Sequence, residues 1–139
     1  MTHRSVTDNV GQLLTGTVAT VPPSATLTDA ARALTREHLG LLVVVDGKGV
    51  SGVLSERDIV IAAAEGGDLT EERVVDHATD DIVSVDELDT IGLAAGVMAE
   101  AEVRHLAVTR GGEIIGVVSV RDLIPALAQH ATQEPAATG

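Results

Sequence analysis

The sequence contains no cysteine and no phenylalanine, tryptophan or tyrosine. Without cysteine there is no disulfide framework, no thiolate nucleophile and no thiolate zinc site, so the chain itself performs no thiol redox chemistry. Without aromatic rings, a nucleic-acid base or a purine cannot be held by stacking on an aromatic side chain. Any purine ligand must therefore lie between aliphatic side chains.

Basic residues are also scarce: 9 Lys and Arg stand against 21 Asp and Glu, for a net charge of −12. So acidic a surface repels nucleic acid and anionic membranes, whereas a nucleotide monophosphate needs only one or two local donors. No apolar stretch approaches the roughly 18 residues of a membrane span, and the first ten residues lack the apolar core of a signal peptide. We expect a soluble, cytoplasmic protein that binds neither nucleic acid nor membrane.

What the sequence does contain is an internal repeat. Its 139 residues are 45% hydrophobic, and a chain of this size can bury roughly two-thirds of its unfolded surface. Shifted by 64 residues, segment 10–59 aligns with segment 74–123 without a gap, and 14 of the 50 pairs are identical. Agreement is densest between Gly52–Asp58 and Gly116–Asp122, which share the pattern Gly-h-h-Ser-x-x-Asp, where h is apolar and x is any residue.

Each copy is predicted to fold as β-α-β-β-α after a short lead-in helix. Short apolar runs predict strands, apolar residues at helical spacing predict helices, and two β-rich runs around a Gly-bearing turn predict a hairpin. In the first copy we predict a lead-in helix at 10–14, a strand at 18–21, a helix that begins at Thr28-Asp29 and includes His38, a hairpin at 41–54 and a helix at 56–64. The counterparts in the second copy are a lead-in helix at 74–78, a strand at 82–85, a helix containing Ala94, Ala95 and Met98, a hairpin at 106–118 and a helix at 120–129.

The predicted fold class is α/β (α+β), with two β-α-β-β-α repeats in one domain. Three strands and two short helices cannot bury both faces of their sheet alone, so we expect the copies to pack sheet to sheet with pseudo-two-fold symmetry. The predicted boundaries are 7–66 for the first repeat, 67–130 for the second and 131–139 for a disordered tail. A Gly-rich, acidic linker spans 65–72.

The repeated Gly-h-h-Ser-x-x-Asp pattern has two interpretations. It is typical of a capping box, in which a Ser hydroxyl and an Asp carboxylate satisfy backbone amides at the start of a helix. The same junction also offers free amides and the positive end of the helix dipole to an anion. In that case Ser55 or Ser119 contacts a phosphate and Asp58 or Asp122 accepts from ribose hydroxyls. Gly52 and Gly116 permit a close approach of backbone or ligand.

The start at Pro23 to Leu27, the central hairpin and the closing Gly-h-h-Ser-x-x-Asp together resemble the cystathionine beta-synthase (CBS) domain, and the tandem resembles a Bateman module. The resemblance covers about residues 7–130. It implies that AMP, ADP, ATP, S-adenosylmethionine or a relative binds in clefts between the repeats, and that modules pair, here as a homodimer. It also implies a partner protein that reads the bound state.

The resemblance implies site residues by position. It places phosphate at Ser55 and Ser119 and ribose at Asp58 and Asp122. The groups that it implies around adenine are Thr20, Val21, Ser84, Val85, Leu39–Leu41 with Gly40, and Val103–His105 with Arg104. Arg57 and Arg121 either supply extra charge to a phosphate or are solvated surface residues.

The two repeats depart from the family pattern differently. Members commonly begin the first hairpin strand with two basic residues and then Leu-Pro-Val; Arg104-His105-Leu106-Ala107-Val108 keeps the basic pair and lacks the proline. Gly40-Leu41-Leu42-Val43-Val44 lacks both. We therefore expect unequal clefts, one for a charged nucleotide and the other weak, empty or suited to a less anionic ligand.

Catalysis and metal binding have little support. The five histidines are scattered, none has a His at i+4, and the repeated Ser and Asp have no repeated His. We expect no enzyme activity, no metal and no resident cofactor. The leading hypothesis is a sensor of an adenosine ligand, and the alternative is a ligand-free structural or adaptor protein that uses its surface to bind proteins.

Overall fold

The computed structural model describes residues 4–14 and 18–133. They fall into two compact units. The first unit is Val18–Ile82, and the second unit combines the described residues before position 18 with those from Val83 onward. None of the described helices is both long enough and apolar enough to cross a membrane.

Each unit has one three-stranded sheet and two helices, as the sequence predicted. The first unit contains β1 (Thr20–Val21), α1 (Leu27–Glu37), β2 (Leu41–Asp46), β3 (Gly49–Ser55) and α2 (Glu56–Ala64). The second contains β4 (Ser84–Asp86), α3 (Ile91–Ala101), β5 (His105–Arg110), β6 (Glu113–Ser119) and α4 (Val120–Gln133). The sheet orders are β1-β2-β3 and β4-β5-β6, with the first pair parallel and the second antiparallel. Packing of one sheet on the other stays a prediction.

The described elements differ from the predicted ones at several ends. The lead-in segments form 3-10 helices at Val10–Leu13 and Val74–Asp76, and the first strands begin two residues later than predicted. His38 does not belong to α1: it adopts the left-handed conformation with φ 55° and ends the helix, and Leu39 N–H donates to the Leu34 carbonyl at 3.0 Å. In the predicted disordered tail, α4 continues to Gln133, and 134–139 lie outside the described residues.

The helices begin where short polar side chains satisfy their free amides. Thr26 caps α1 with Asp29 in a capping box, and Thr90 caps α3 by accepting from Leu93 N–H at 3.1 Å. Such a cap stabilises a helix by about 1 kcal/mol. The predicted start of this helix at Thr28-Asp29 lies one residue after its actual start at Leu27, because Thr26 is the cap.

The lead-in segments are exchanged between the repeats. Val74, which stands at the start of the second repeat, donates its N–H to the Ala25 carbonyl of the first unit at 2.8 Å and is fully buried in that unit's core. Val10 stands at the start of the first repeat, yet it donates to the Asp89 carbonyl of the second unit at 2.7 Å and is fully buried there. The two bonds occupy equivalent positions, 64 residues apart. Each core is therefore completed by a segment that the sequence repeat assigns to the other copy.

In the second unit, an ion pair lies beside the lead-in segment. Arg110 donates two hydrogen bonds to the Glu87 carboxylate, at 2.6 and 3.0 Å, and the Glu87 carbonyl accepts from Gly11 N–H in the lead-in segment. Hydrogen bonding to Arg110 lowers the pKa of Glu87 below its usual value. The pair therefore favours the charged carboxylate beside the exchanged segment.

Candidate functional site

In the first unit, the repeated Ser and Asp form a capping box at the junction of β3 and α2. Asp58 N–H donates to Ser55 Oγ at 3.1 Å, and Ser55 N–H donates to Asp58 Oδ2 at 2.8 Å. Both residues are partly buried. The box leaves the Ser55 hydroxyl hydrogen and Asp58 Oδ1 without a hydrogen bond among the described residues.

The second unit repeats this geometry at the junction of β6 and α4. Asp122 N–H donates to Ser119 Oγ at 3.3 Å, and Ser119 N–H donates to Asp122 Oδ2 at 2.7 Å. The capping interpretation is thus correct for both copies. It leaves room for a ligand, because each hydroxyl can still donate and each carboxylate can still accept.

The backbone amides of these junctions are less free than the sequence suggested. Besides the two amides used by each box, Glu56 N–H donates to the Gly40 carbonyl at 2.9 Å, and Val120 N–H donates to the Arg104 carbonyl at 2.8 Å. Three amides at each helix start, those of the capping Ser and of the first and third helical residues, are therefore engaged within each unit. An anion at either site must depend on side-chain hydroxyls and guanidinium groups more than on a cradle of amides.

Hairpin register brings most of the predicted residues to one end of each sheet. Leu41 at the start of β2 pairs with Ser55 at the end of β3, and Gly40 precedes that pair. His105 at the start of β5 pairs with Ser119 at the end of β6, and Arg104 precedes it. His105 is partly buried and already has an interaction partner within the protein.

The first strand of each unit lies beside this end. Thr20 pairs with Val43, two residues into β2 from Leu41, and Ser84 pairs with Ala107 in the same way. Thr20 and Ser84 are exposed. Val21 and Val85 are buried in the cores of their own units, so their side chains are occupied in packing and only their backbone remains for a ligand.

The two sheet ends differ in charge. Around the first, Glu56 and Asp58 oppose a single cation, Arg57; Glu56 is the residue immediately after the capping Ser. Glu56 is absent from the predicted site residues, although its place in the repeat, where the second copy has an apolar residue, signals this difference in charge.

At the second sheet end, Arg104 and Arg121 oppose one carboxylate, Asp122, and the residue after the capping Ser is Val120. Arg57 and Arg121 are both exposed and make no hydrogen bond or ion pair with other described residues. The second end is therefore the more favourable one for an anion.

The motif glycines leave space for residues at or next to the exchanged lead-in segments. A Cβ on Gly52 would lie 2.5 Å from the Thr79 carbonyl oxygen, because Thr79 forms a two-way hydrogen-bonded bridge with Val53. A Cβ on Gly116 would lie 2.6 Å from a methyl group of Leu14. The close approach predicted for these glycines is real, and the approaching group is protein.

Within residues 4–14 and 18–133, no group of three or more His, Cys, Asp or Glu side chains is placed to hold a metal ion. His77, which follows the 3-10 helix Val74–Asp76, is engaged instead with Glu72, with Nε2 and Oε1 2.7 Å apart.

Two sequence relatives share most of this chain. An uncharacterised 17.7 kDa protein of Acidianus ambivalens is 36% identical over 120 residues, which cover 85% of this chain and 72% of the relative. Hypoxic response protein 1 of Mycobacterium tuberculosis is 33% identical over 116 residues, covering 82% and 81%. A crystal structure of Hypoxic Response Protein I with two coordinated zinc ions matches at a TM-score of 0.68 and 29% identity, covering 88% of this chain and 98% of that one.

A solved structure with a nucleotide also matches. The CBS domain protein of Pyrobaculum aerophilum complexed with AMP superposes with a TM-score of 0.79 at 30% identity, covering 89% of this chain and 98% of that one. The family model for the CBS domain matches twice, at residues 10–65 and 74–129. These two matches correspond to the two copies found by internal repetition. The chain belongs to the CBS domain family.

Proposed function

We propose that this protein is a cytoplasmic regulatory module that binds an adenosine-containing ligand at the Ser-x-x-Asp ends of its sheets and passes the bound state to a partner protein. The observation that carries the proposal is the AMP complex of the 30% identical Pyrobaculum aerophilum protein. The capping boxes support it, since in both of them the Ser hydroxyl can still donate and one carboxylate oxygen can still accept. We propose no reaction for the chain.

Each group at the site has a distinct task in this proposal. The Ser hydroxyl donates to a phosphate oxygen while its Oγ continues to accept from the Asp amide. The free Asp oxygen accepts a hydrogen bond from a ribose hydroxyl. Ribose offers two such hydroxyls to the carboxylate and deoxyribose offers one, so the site should bind ribose better. Because no aromatic ring exists in the chain, the adenine is held by aliphatic side chains and backbone.

Charge makes the second unit the tighter phosphate site. The guanidinium groups of Arg104 and Arg121 attract a phosphate, whereas Glu56 and Asp58 repel it from the first unit. We therefore propose that AMP or another nucleotide binds chiefly at Ser119 and Asp122. The first-unit site takes a less anionic adenosine derivative, such as adenosine or S-adenosylmethionine, or remains weak.

The first experiment is an ultraviolet spectrum of freshly purified protein, followed by mass spectrometry of the acid-released supernatant. With no Trp, Tyr or Phe, the chain is nearly transparent between 260 and 280 nm, so bound adenine is seen directly. We expect a band near 260 nm and an adenosine-containing mass, either on purification or after incubation with AMP and desalting. A blank result with AMP, ATP and S-adenosylmethionine, together with no heat of binding by calorimetry, contradicts the sensor and favours the adaptor function.

Exchanging the residues after the capping Ser tests the charge argument. Glu56→Val should raise the affinity of the first unit for AMP, and Val120→Glu should lower that of the second, each by about tenfold, which corresponds to about 1.4 kcal/mol. Isothermal titration with AMP measures both. Adenosine is the control ligand, because it lacks phosphate and its affinity should change little. Equal effects on AMP and adenosine would refute an electrostatic origin.

A further inference from the structure

The turn of the first hairpin contains an Asp-Gly pair. Of the eleven aspartates in the sequence, only Asp46 is followed by glycine. Asp46 ends β2 and pairs with Gly49 at the start of β3, and Gly47 and Lys48 form the turn between them. All four residues are exposed, so water reaches the pair. The position of Asp46 is taken by Arg110 in the second hairpin, so the pair belongs to the first unit alone.

The Asp46 side chain is folded back along its own peptide bond. Oδ1 of Asp46 accepts a hydrogen bond from Lys48 N–H at 2.7 Å. This Asx turn closes a ring that contains both Cγ of Asp46 and the nitrogen of Gly47. The carboxyl carbon therefore stays close to the next amide nitrogen along the chain. The donated hydrogen also draws electron density from the carboxyl group, which makes Cγ more open to attack by a nucleophile.

The nitrogen of Gly47 is unobstructed. In the part of the chain that the structure describes, its N–H donates no hydrogen bond. A Cβ added to Gly47 would meet nothing within 4 Å, so space is open around the residue. Glycine has no side chain to obstruct ring closure, and its backbone adopts conformations that other residues avoid. A nitrogen that can attack and a carboxyl carbon that can be attacked thus lie next to one another.

Two other aspartates make the same turn and provide references within the protein. The Oδ1 atoms of Asp68 and Asp86 also accept from the N–H two residues later, at 3.0 and 2.9 Å. The residue after Asp68 is Leu69, whose side chain is partly buried against the first core. The residue after Asp86 is Glu87, whose N–H already donates to the Thr109 carbonyl at 2.8 Å. In both turns a side chain crowds the nitrogen, and in the second a hydrogen bond also occupies it.

We propose that the Asp46-Gly47 pair is a site of spontaneous isoaspartate formation in the folded protein. The Gly47 nitrogen attacks Cγ of the protonated Asp46 carboxyl group, and the carboxyl hydroxyl leaves as water together with the amide hydrogen. The product is a succinimide ring. Water then opens the ring at either carbonyl carbon. Cleavage of the bond from nitrogen to Cγ restores aspartate, and cleavage of the bond from nitrogen to the main-chain carbonyl carbon leaves an isoaspartyl linkage through Cγ. The step needs no oxidant and no second reactant other than water.

Isoaspartate changes the turn and leaves the candidate ligand site in place. It adds one methylene group to the main chain and moves the free carboxylate onto Cα, so the bond from Lys48 N–H to Oδ1 is lost. The predicted ligand residues lie at the other end of the hairpin, because β2 runs about 17 Å from Leu41 to Asp46. The inference therefore does not depend on ligand binding. The partner that fits the changed turn is an enzyme that methylates isoaspartyl carboxylates.

Peptide mapping of aged protein tests the proposal. The full chain is kept folded in warm neutral buffer for several weeks and then digested. Chromatography and electron-transfer fragmentation distinguish isoaspartate from aspartate, which has the same mass, and an isoaspartyl methyltransferase with labelled S-adenosylmethionine measures the total. We expect isoaspartate to accumulate at Asp46 at least about tenfold faster than at Asp68 or Asp86, which corresponds to about 1.4 kcal/mol in activation free energy. Equal rates at the three aspartates, or no isoaspartate at Asp46, overturn the proposal.

Two substitutions in the turn test the route through the ring. Gly47→Val places a branched, stiff side chain beside the attacking nitrogen and should lower the rate at Asp46 by about tenfold or more. The open space at Gly47 lets this variant fold, which circular dichroism verifies. Asp46→Asn should lose ammonia through the same ring and form aspartate and isoaspartate faster than the natural chain forms isoaspartate. An unchanged rate in Gly47→Val, or an Asp46→Asn variant that keeps its amide, overturns the proposal.

Discussion

Replacing Gly52 by alanine is expected to lower the free energy of unfolding of the first unit by about 2–4 kcal/mol. The new Cβ would lie 2.5 Å from the backbone oxygen of Thr79, and backbone cannot rotate away as a side chain can. Overpacking of this kind costs about 1–3 kcal/mol. Moving Thr79 away from β3 to relieve this contact would also weaken the two hydrogen bonds between Val53 and Thr79, at 2.8 and 3.0 Å. Each of these bonds contributes about 1 kcal/mol.

The repeat and a nearby turn supply controls for this substitution. Gly116→Ala meets only the methyl end of Leu14 at 2.6 Å, which can adopt another rotamer, so we expect a loss below about 1 kcal/mol. Gly47→Ala meets nothing within 4 Å and should be nearly neutral. Urea unfolding followed by circular dichroism measures all three, with a midpoint shift of about 1–2 M for Gly52→Ala. Similar midpoints for Gly52→Ala and Gly116→Ala would contradict this prediction, because they would show that the Thr79 backbone moves aside at little cost in free energy.

Replacing Asp122 by alanine is expected to weaken AMP binding by about 10- to 100-fold. In the proposed function, Asp122 accepts a hydrogen bond from ribose, and a hydrogen bond to a charged group contributes about 1.5–3 kcal/mol. The same substitution removes a capping box and costs about 1 kcal/mol of stability. Asp58→Ala should affect the weaker site of the first unit and leave the tight site unchanged.

A third capping box separates these two effects. Thr26 and Asp29 make the same pair of hydrogen bonds, at 3.1 and 3.3 Å, at the start of α1, outside the repeated Gly-h-h-Ser-x-x-Asp motif. Asp29→Ala should therefore cost similar stability and leave AMP affinity unchanged. Calorimetric titration and thermal unfolding of both variants give the comparison. If Asp122→Ala lowers the stability but leaves the AMP affinity unchanged, the motif aspartate is a capping residue and the ribose assignment is wrong.

The helices and strands were predictable where capping residues or turn residues mark their ends. The helix predicted at 56–64 is α2 to the residue, because the Ser-x-x-Asp box marks its start. Both hairpins were placed correctly because Gly-bearing turns separate their apolar runs. His38 was misplaced because helical spacing continues through it, whereas its backbone adopts the left-handed conformation that ends the helix.

Tertiary pairing was harder to predict. Self-similarity shows that Val10 and Val74 are equivalent, but it does not say which copy of the fold each of them completes. For the same reason Gly52 predicts a close approach of backbone or ligand without indicating that the approaching backbone is that of Thr79. At the candidate sites, hairpin register made the meeting of Leu41 with Ser55, and of His105 with Ser119, foreseeable. The occupation of the nearby amides depends on backbone geometry that no residue type reveals.

The exchanged lead-in segments bear on how such a chain arose. The internal repeat is what duplication of a shorter polypeptide would produce, and in the present chain the lead-in segment of each copy fills the core of the other. A single-copy ancestor with the same contacts would have required a second molecule, with each molecule placing its lead-in segment in the core of the other, as in domain swapping. In connectivity, the present chain corresponds to such an exchange carried out within one polypeptide. Cut within the acidic linker, its two fragments should complement one another more readily than either folds alone.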